Sequence, residues 1–136
     1  MALSANQEVD HYIDQELRTF KVAASAHVYK GALVSVKTDG YAHGLVAGEL
    51  FVGIAYEEAD NSSGADGAKS VRVYTLGDFD HALSGAAIAN VGDAVYASAD
   101  GTLTFTATNN SYVGVCIDVP SSGNIILRLD AYRTAP

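Results

Sequence analysis

Apolar and polar residues alternate along much of the chain after Phe20. Val22, Ala24, Ala26 and Val28 are separated by polar or small residues. Later apolar runs lie at Phe51–Tyr56, Val71–Thr75, Ala94–Ser98, Thr102–Thr106, Tyr112–Ile117 and Ile125–Leu129. A period of two and runs of this length are typical of short β-strands. The pattern predicts an all-β domain over residues 22–136.

Turn-forming residues separate these runs at nearly regular distances. They are Asp39-Gly40, Asp100-Gly101, Asn109-Asn110 and Ser121-Ser122-Gly123. Gly, Asn and Asp favour tight turns because they tolerate a positive φ. Many short strands joined by such turns predict a small β-sandwich or β-barrel.

The pattern also contains an internal duplication. Gly31–Gly40 (GALVSVKTDG) resembles Gly92–Gly101 (GDAVYASADG), which lies 61 positions later. Phe51–Ile54 resembles Tyr112–Val115 after the same interval, and each of these runs contains an interior glycine. An interior glycine in a strand indicates a bulge, a bend or a close approach of backbone.

The interval between the two copies shortens towards their ends. Ser62-Ser63-Gly64 resembles Ser121-Ser122-Gly123 after 59 positions, and Val71–Val73 resembles Leu127–Leu129 after 56. The second copy therefore has the shorter loop. Neither copy could bury a sheet face alone, so we expect two pseudo-repeated β units that share one core.

The segment before Phe20 has a different pattern. Val9, Ile13, Leu17 and Phe20 follow helical spacing, and Ser4 could cap such a helix. An extended arm that becomes ordered against a partner fits the same residues. The sequence therefore divides into residues 1–21, an N-terminal arm or short helix, and the β-domain at 22–136.

Charge and length restrict the function. The formal net charge is −8 and the pI is about 4.7, so phosphate backbones and anionic membrane surfaces would repel the chain. No apolar run approaches the roughly 20 residues of a membrane span, and no signal peptide is visible. We expect a protein made in the cytosol that contacts neither nucleic acid nor membrane.

The sequence offers little catalytic chemistry. Cys116 lies in an apolar run and predicts a buried side chain, and the four histidines have no zinc-ligand spacing. The acidic run Glu57–Asp60, with Asn61 and Asp66, lacks the ligand spacing of a calcium loop and predicts a solvated loop. No nucleophile elbow or phosphate-binding loop occurs. We therefore predict no enzyme activity, no cofactor and no metal.

Two kinds of binding protein remain. One is an assembly subunit that uses the arm and the broad sheet faces. The other is a small carbohydrate-binding or host-adhesion module that uses exposed tyrosines. The chain has eight Tyr but no Trp, although Trp is the aromatic residue that best suits a sugar platform.

Several stretches of the chain resemble tailed-phage capsid cement, or head decoration, proteins. These stretches are Met1–Leu17, Val28–Val34, Gly48–Gly67, Val71–Thr75 and Gly77–Leu83. The resemblance implies a small β-barrel or β-sandwich of β-tulip-like type and no enzymatic site. It also implies a homotrimer on the capsid exterior that locks major capsid protein subunits together after the head expands.

In such a protein the arm would lie across a neighbouring capsid subunit. Its apolar side chains, the hypothetical capsid-binding residues, are Val9, Tyr12, Ile13, Leu17 and Phe20. An ordinary helix packed on its own domain is the alternative. The segment around Phe79 and Leu83 does not alternate cleanly, which suits an oligomer interface; a loop in which Phe79 fills the core is the other interpretation.

Overall fold

A computed structural model describes residues 4–6 and 17–136 of the chain. Within these residues the chain is all-β, with a single 3-10 turn at Ile88–Asn90. The strands are β1 (Leu17–Lys21), β2 (His27–Val28), β3 (Leu33–Val36), β4 (Ala42–Gly44), β5 (Leu50–Ala55), β6 (Ala59–Asp60), β7 (Ser70–Tyr74), β8 (Asp78–Ala82), β9 (Ala94–Ala99), β10 (Thr102–Thr104), β11 (Ser111–Ser121) and β12 (Asn124–Leu129). The described part of the chain contains no helix that is long and apolar enough to cross a membrane.

The strands form two five-stranded antiparallel sheets. Sheet I has the order β1-β7-β5-β3-β4, and sheet II has the order β10-β9-β11-β12-β8. A two-stranded sheet, β2-β6, completes the domain. The β4 and β10 sides are linked by a bridge between Val46 and Ala99 and by a hydrogen bond from the Leu33 amide to the Asp100 carbonyl, 2.8 Å. The architecture is a β-sandwich and not a closed barrel.

The two sheets have the same topology, which confirms the predicted pseudo-repeat. Strands β1, β3, β4, β5 and β7 form the first unit, and β8 to β12 form the second in the same neighbour order. Val34 pairs with Gly53, and 61 positions later Val95 pairs with Gly114. Beside each of these pairs the register shifts, and one residue next to the glycine, Val52 or Val113, has no partner in the pairing. The interior glycines therefore lie at equivalent bulges.

The predicted correspondence between the last strands of the two units, Val71–Val73 and Leu127–Leu129, was wrong by two residues. A Cβ on Gly53 would lie beside the Tyr74 carbonyl oxygen, and a Cβ on Gly114 beside the Arg128 carbonyl oxygen. Tyr74 and Arg128 are therefore equivalent, an interval of 54 positions instead of 56. The interval is shorter here than the 61 positions at the earlier strands because the first unit also contains β6 and the loop that follows it.

The two units stack in the same orientation. One face of sheet I, with Val34, Val52 and Val73, packs beneath the β2-β6 sheet in one core cluster. The equivalent face of sheet II, with Val95, Val113 and Leu127, packs instead on the other face of sheet I. That other face contributes a further set of large buried side chains, Leu33, Phe51 and Ile54.

This stacking explains the difference between the strand sequences. Sheet I is covered on both faces, so β5 is buried at five of its six positions. Sheet II is covered on one face only, and β12 alternates between buried and more exposed positions. The strand β5 therefore has a continuous apolar run, and β12 has the period of two.

The start of the β-domain differs from the prediction. Strands were expected only after Phe20, yet Leu17–Lys21 form β1 and pair with β7 along their full length. The alternating run from Val22 to Val28 was expected to be a strand, but only His27–Val28 form one. A turn at Ala24-Ser25, where Ser25 has a φ of 61°, interrupts it.

Candidate functional site

The arm residues fall into two groups. Leu17 and Phe20 lie in β1 and are half-buried. Leu17 is paired with Tyr74, and Phe20 packs on the core beneath the β2-β6 sheet and contacts the Tyr132 ring, with centroids 6.3 Å apart. Val9, Tyr12 and Ile13 lie outside the described residues, as does most of the proposed helix or arm. The role of all five in capsid binding stays a prediction.

The sandwich has an open side formed by β1 and β8. In the described chain β1 pairs only with β7, and β8 pairs only with β12. Each strand therefore has one backbone edge that no described strand covers. Such edges can accept an added strand from a partner.

The two predicted interface residues lie at different depths. Leu83 is 3% exposed and belongs to the core between the sheets. Phe79 lies in the edge strand β8, half-buried, and packs against the same core. A contact with a second subunit through Phe79 stays a prediction.

A cleft of about 370 Å³ opens beside Phe79 on this side of the sandwich. Its lining comes from the ends of several strands: Lys30, Gly31, Ile54, Ala55, Tyr56, Tyr74 and Phe79. The Tyr74 ring contacts the rings of both Tyr56 and Phe79, with centroid distances of 5.4 Å each. The three rings therefore form a continuous aromatic wall.

A salt bridge fixes the Tyr56 end of this wall. The Arg72 guanidinium lies 4.9 Å from the centre of the Tyr56 ring and donates to both carboxylate oxygens of Glu57, at 2.9 and 2.8 Å. These hydrogen bonds and the positive charge lower the pKa of Glu57 to about 2. Glu57, which was predicted to lie in a solvated loop, is thus paired and partly buried.

The described residues show no arrangement suited to catalysis. No cluster of three or more His, Cys, Asp or Glu side chains among them could hold a metal ion. Cys116 is fully buried, as predicted, and burial raises the pKa of its thiol. His27 and His43 each contact a carboxylate, Glu58 at 2.6 Å and Glu49 at 2.5 Å, on the domain surface.

Tyr112 is a buried phenol whose ionisation should affect stability. It is 2% exposed and donates a hydrogen bond to Asp130, 2.9 Å. Burial and this hydrogen bond raise its pKa to about 12, from a usual 10. The folded state holds the proton more tightly, so this contribution is complete below pH 10 and is lost as the pH rises to 12.

We expect Tyr112→Phe to flatten the alkaline loss of stability. The free energy of unfolding of the wild type should fall by about 2 kcal/mol more than that of the variant between pH 10 and 12. Urea denaturation at several pH values measures the difference. Parallel curves for the two proteins over this range would contradict the assignment.

The aromatic cleft is the feature that the sequence did not predict. Tyr56 and Tyr74 were each placed in strands, and Phe79 in an edge or core segment, but their meeting depends on how sheet II lies on sheet I. The only local signal is the presence of aromatic residues near the ends of three predicted segments.

Comparison with known proteins gives a consistent result. A family model described as phage cement protein matches residues 13–129. The crystal structure of the head fiber gp8.5 N base in bacteriophage phi29 is similar with a TM-score of 0.50 and 19% sequence identity, over 84% of this chain and 94% of that chain. At this identity the similarity concerns the fold alone. A search of curated proteins found no significant match.

The family match spans most of the chain and includes both units. It agrees with the two-unit β-sandwich that the described residues form. The family is a structural one and not a family of enzymes, and its place is the capsid of the virion. The chain therefore belongs to the phage cement protein family.

Proposed function

We propose that this protein binds the exterior of an expanded phage head and stabilises contacts between major capsid protein subunits. The observation that supports this most is the position of β1. The strand is the edge of sheet I, and it is where residues 1–16 join the domain. A segment attached in this way can act on a neighbour while the sandwich stays intact.

The arm is long enough to connect separate subunits. Sixteen residues can span at most about 55 Å when extended. Its attachment is firm, because β1 pairs with β7 at five consecutive positions from Leu17 to Lys21.

The binding equilibrium explains how such a protein would stabilise the shell. A protein that binds only the expanded lattice stabilises that state in proportion to its binding free energy. Three copies around one symmetry axis would engage three neighbours together, so that weak single contacts give long-lived attachment. We propose a homotrimer that assembles on the shell, because the net charge of −8 opposes association of free copies.

Co-sedimentation with capsid shells tests the proposed function. The full chain should bind expanded, undecorated shells to saturation, and it should not bind unexpanded shells. Decorated shells should also withstand a higher temperature than bare shells. Equal binding to both forms, or no gain in shell stability, would contradict a cementing role.

A further inference from the structure

The aromatic cleft on the open side of the sandwich has no part in the proposed attachment through the arm. Its floor is apolar, since Ile54 and Ala55 are 6% and 2% exposed. Its volume of about 370 Å³ lies within the range of small-molecule sites, about 300–1,000 Å³. The cleft therefore has the size of a ligand site in addition to its aromatic wall.

The Tyr56 ring is held in place before any ligand binds. Arg72 covers part of it at 4.9 Å and is itself fixed by the two hydrogen bonds to Glu57. Arg72 itself is not among the residues that line the cleft. Tyr74 contacts the same ring at an interplanar angle of 75°. A preorganised, 38% exposed ring is a suitable stacking surface.

Polar groups surround the apolar floor. Lys30 makes no ion pair with the described residues. The hydroxyls of Tyr56 and Tyr74 form no hydrogen bond within the described part of the chain. The residues that line the cleft thus include one lysine and two tyrosines, Lys30, Tyr56 and Tyr74. The basic residues that make no ion pair in the described chain are Arg18, Lys21, Lys30 and Lys69, and of these Lys30 lines the cleft.

We propose that the cleft binds a saccharide that contains an acidic sugar. The C–H face of a pyranose ring is apolar and packs on aromatic rings, and its hydroxyls match the two phenols. A carboxylate on the sugar complements Lys30 through a charge-assisted hydrogen bond. Neither an apolar ligand nor a metal ion would use all of these groups. This function is independent of the shell and is a property of the isolated chain.

Ligand-observed NMR and calorimetry on the isolated full chain test the proposal. The probe is the α-1,4-linked trisaccharide of galacturonate, and its fully methyl-esterified form is the neutral counterpart. The galacturonate trisaccharide should bind saturably, with a dissociation constant on the order of 1 mM or tighter. Lys30→Gln should weaken binding of the galacturonate trisaccharide about tenfold and leave the affinity for its methyl ester unchanged.

Matched tyrosine variants locate the site. Tyr56→Ala should abolish binding of the acidic trisaccharide. Tyr29→Ala should have no effect, because Tyr29 is 58% exposed and stacks on His27 at 4.1 Å without lining the cleft. Circular dichroism confirms that each variant is folded, and Tyr56→Phe, which keeps the ring, should retain most of the affinity.

Two results would overturn the proposal. One is the absence of saturable binding of the galacturonate trisaccharide to the wild type, or binding that is no tighter than that of the neutral trisaccharide. The other is binding that Tyr56→Ala leaves unchanged. If Tyr56→Ala weakens attachment to shells while no saccharide binds, the cleft receives a segment of the capsid protein and the saccharide assignment is wrong.

Discussion

Removal of residues 1–16 should abolish attachment to expanded shells and leave the β-domain folded. The arm contributes Val9, Tyr12 and Ile13, and a large apolar side chain buried against a partner is worth about 1.5–3 kcal/mol. Each such contact therefore changes affinity roughly 10- to 100-fold, and a trimer loses three arms together. Co-sedimentation with shells measures the loss.

The position of the truncation decides what the experiment means. Deletion of residues 1–21 would also remove β1, expose the edge of β7 and uncover the core that Phe20 covers. We expect that shorter chain to melt at a much lower temperature, whereas the chain that starts at Leu17 should melt like the wild type. A chain that lacks residues 1–16 and still binds shells normally would show that the arm is not the anchor.

A double variant separates the side chains from the length of the arm. Tyr12→Ala with Ile13→Asp should reproduce most of the truncation, because it removes apolar contacts without shortening the chain. Ser4→Ala with Asn6→Ala is the matched control, since it changes polar positions of the same segment. Equal loss of attachment in both variants would mean that the apolar residues have no special role.

Alanine at the bulge glycines should cost more stability than any other single change considered. Gly53 has a φ of 151°, and a Cβ there would lie 2.2 Å from the Tyr74 carbonyl oxygen. Gly114 repeats this arrangement, with a φ of 157° and a contact of 2.0 Å to the Arg128 carbonyl oxygen. Both contacts are with backbone, so relief requires the neighbouring strand to move.

We expect Gly53→Ala or Gly114→Ala to lower the free energy of unfolding by about 3 kcal/mol or more. The melting temperature should fall by roughly 10 °C. Gly101→Ala is the control, because a Cβ there meets nothing within 4 Å, and it should cost less than about 1 kcal/mol. Calorimetry distinguishes the two cases, and equal melting of all three variants would contradict the bulge geometry.

The apolar runs at Ala94–Ser98, Thr102–Thr106, Tyr112–Ile117 and Ile125–Leu129 correctly predicted the strands β9 to β12 of sheet II. The turns at Asp39-Gly40 and Asp100-Gly101 were also predicted, and both join neighbouring strands of one sheet. The apolar run Phe51–Tyr56 predicted the strand β5 but did not indicate which sheet of the sandwich contains it. A strand that is apolar on both faces fits any central position, so the three-layer arrangement could not be derived from the sequence.

Strand β1 was missed because its two large apolar residues lie on opposite faces. Leu17 is opposite Tyr74 and Phe20 is opposite Val71, and residues three positions apart in a strand point to different sides. The same spacing suits one face of a helix. Only the edge of β7, which is far away in the sequence, favours the extended form.

The error in the repeat interval has a similar cause. Val71–Val73 and Leu127–Leu129 are similar in sequence, but the strand pairing makes Val73 equivalent to Leu127. A shift of one residue would exchange the buried and exposed faces, whereas a shift of two preserves them. The apolar pattern therefore could not distinguish an interval of 56 from one of 54, and the bulge contacts at Gly53 and Gly114 could.

The most direct test of the cementing role is a cryo-electron microscopy map of expanded shells saturated with the full chain. The proposed function predicts the two-unit sandwich on the outer surface, in clusters of three, with density for the N-terminal segment reaching onto a neighbouring capsid subunit. Density inside the shell, or isolated single copies that each touch one capsid subunit, would contradict it.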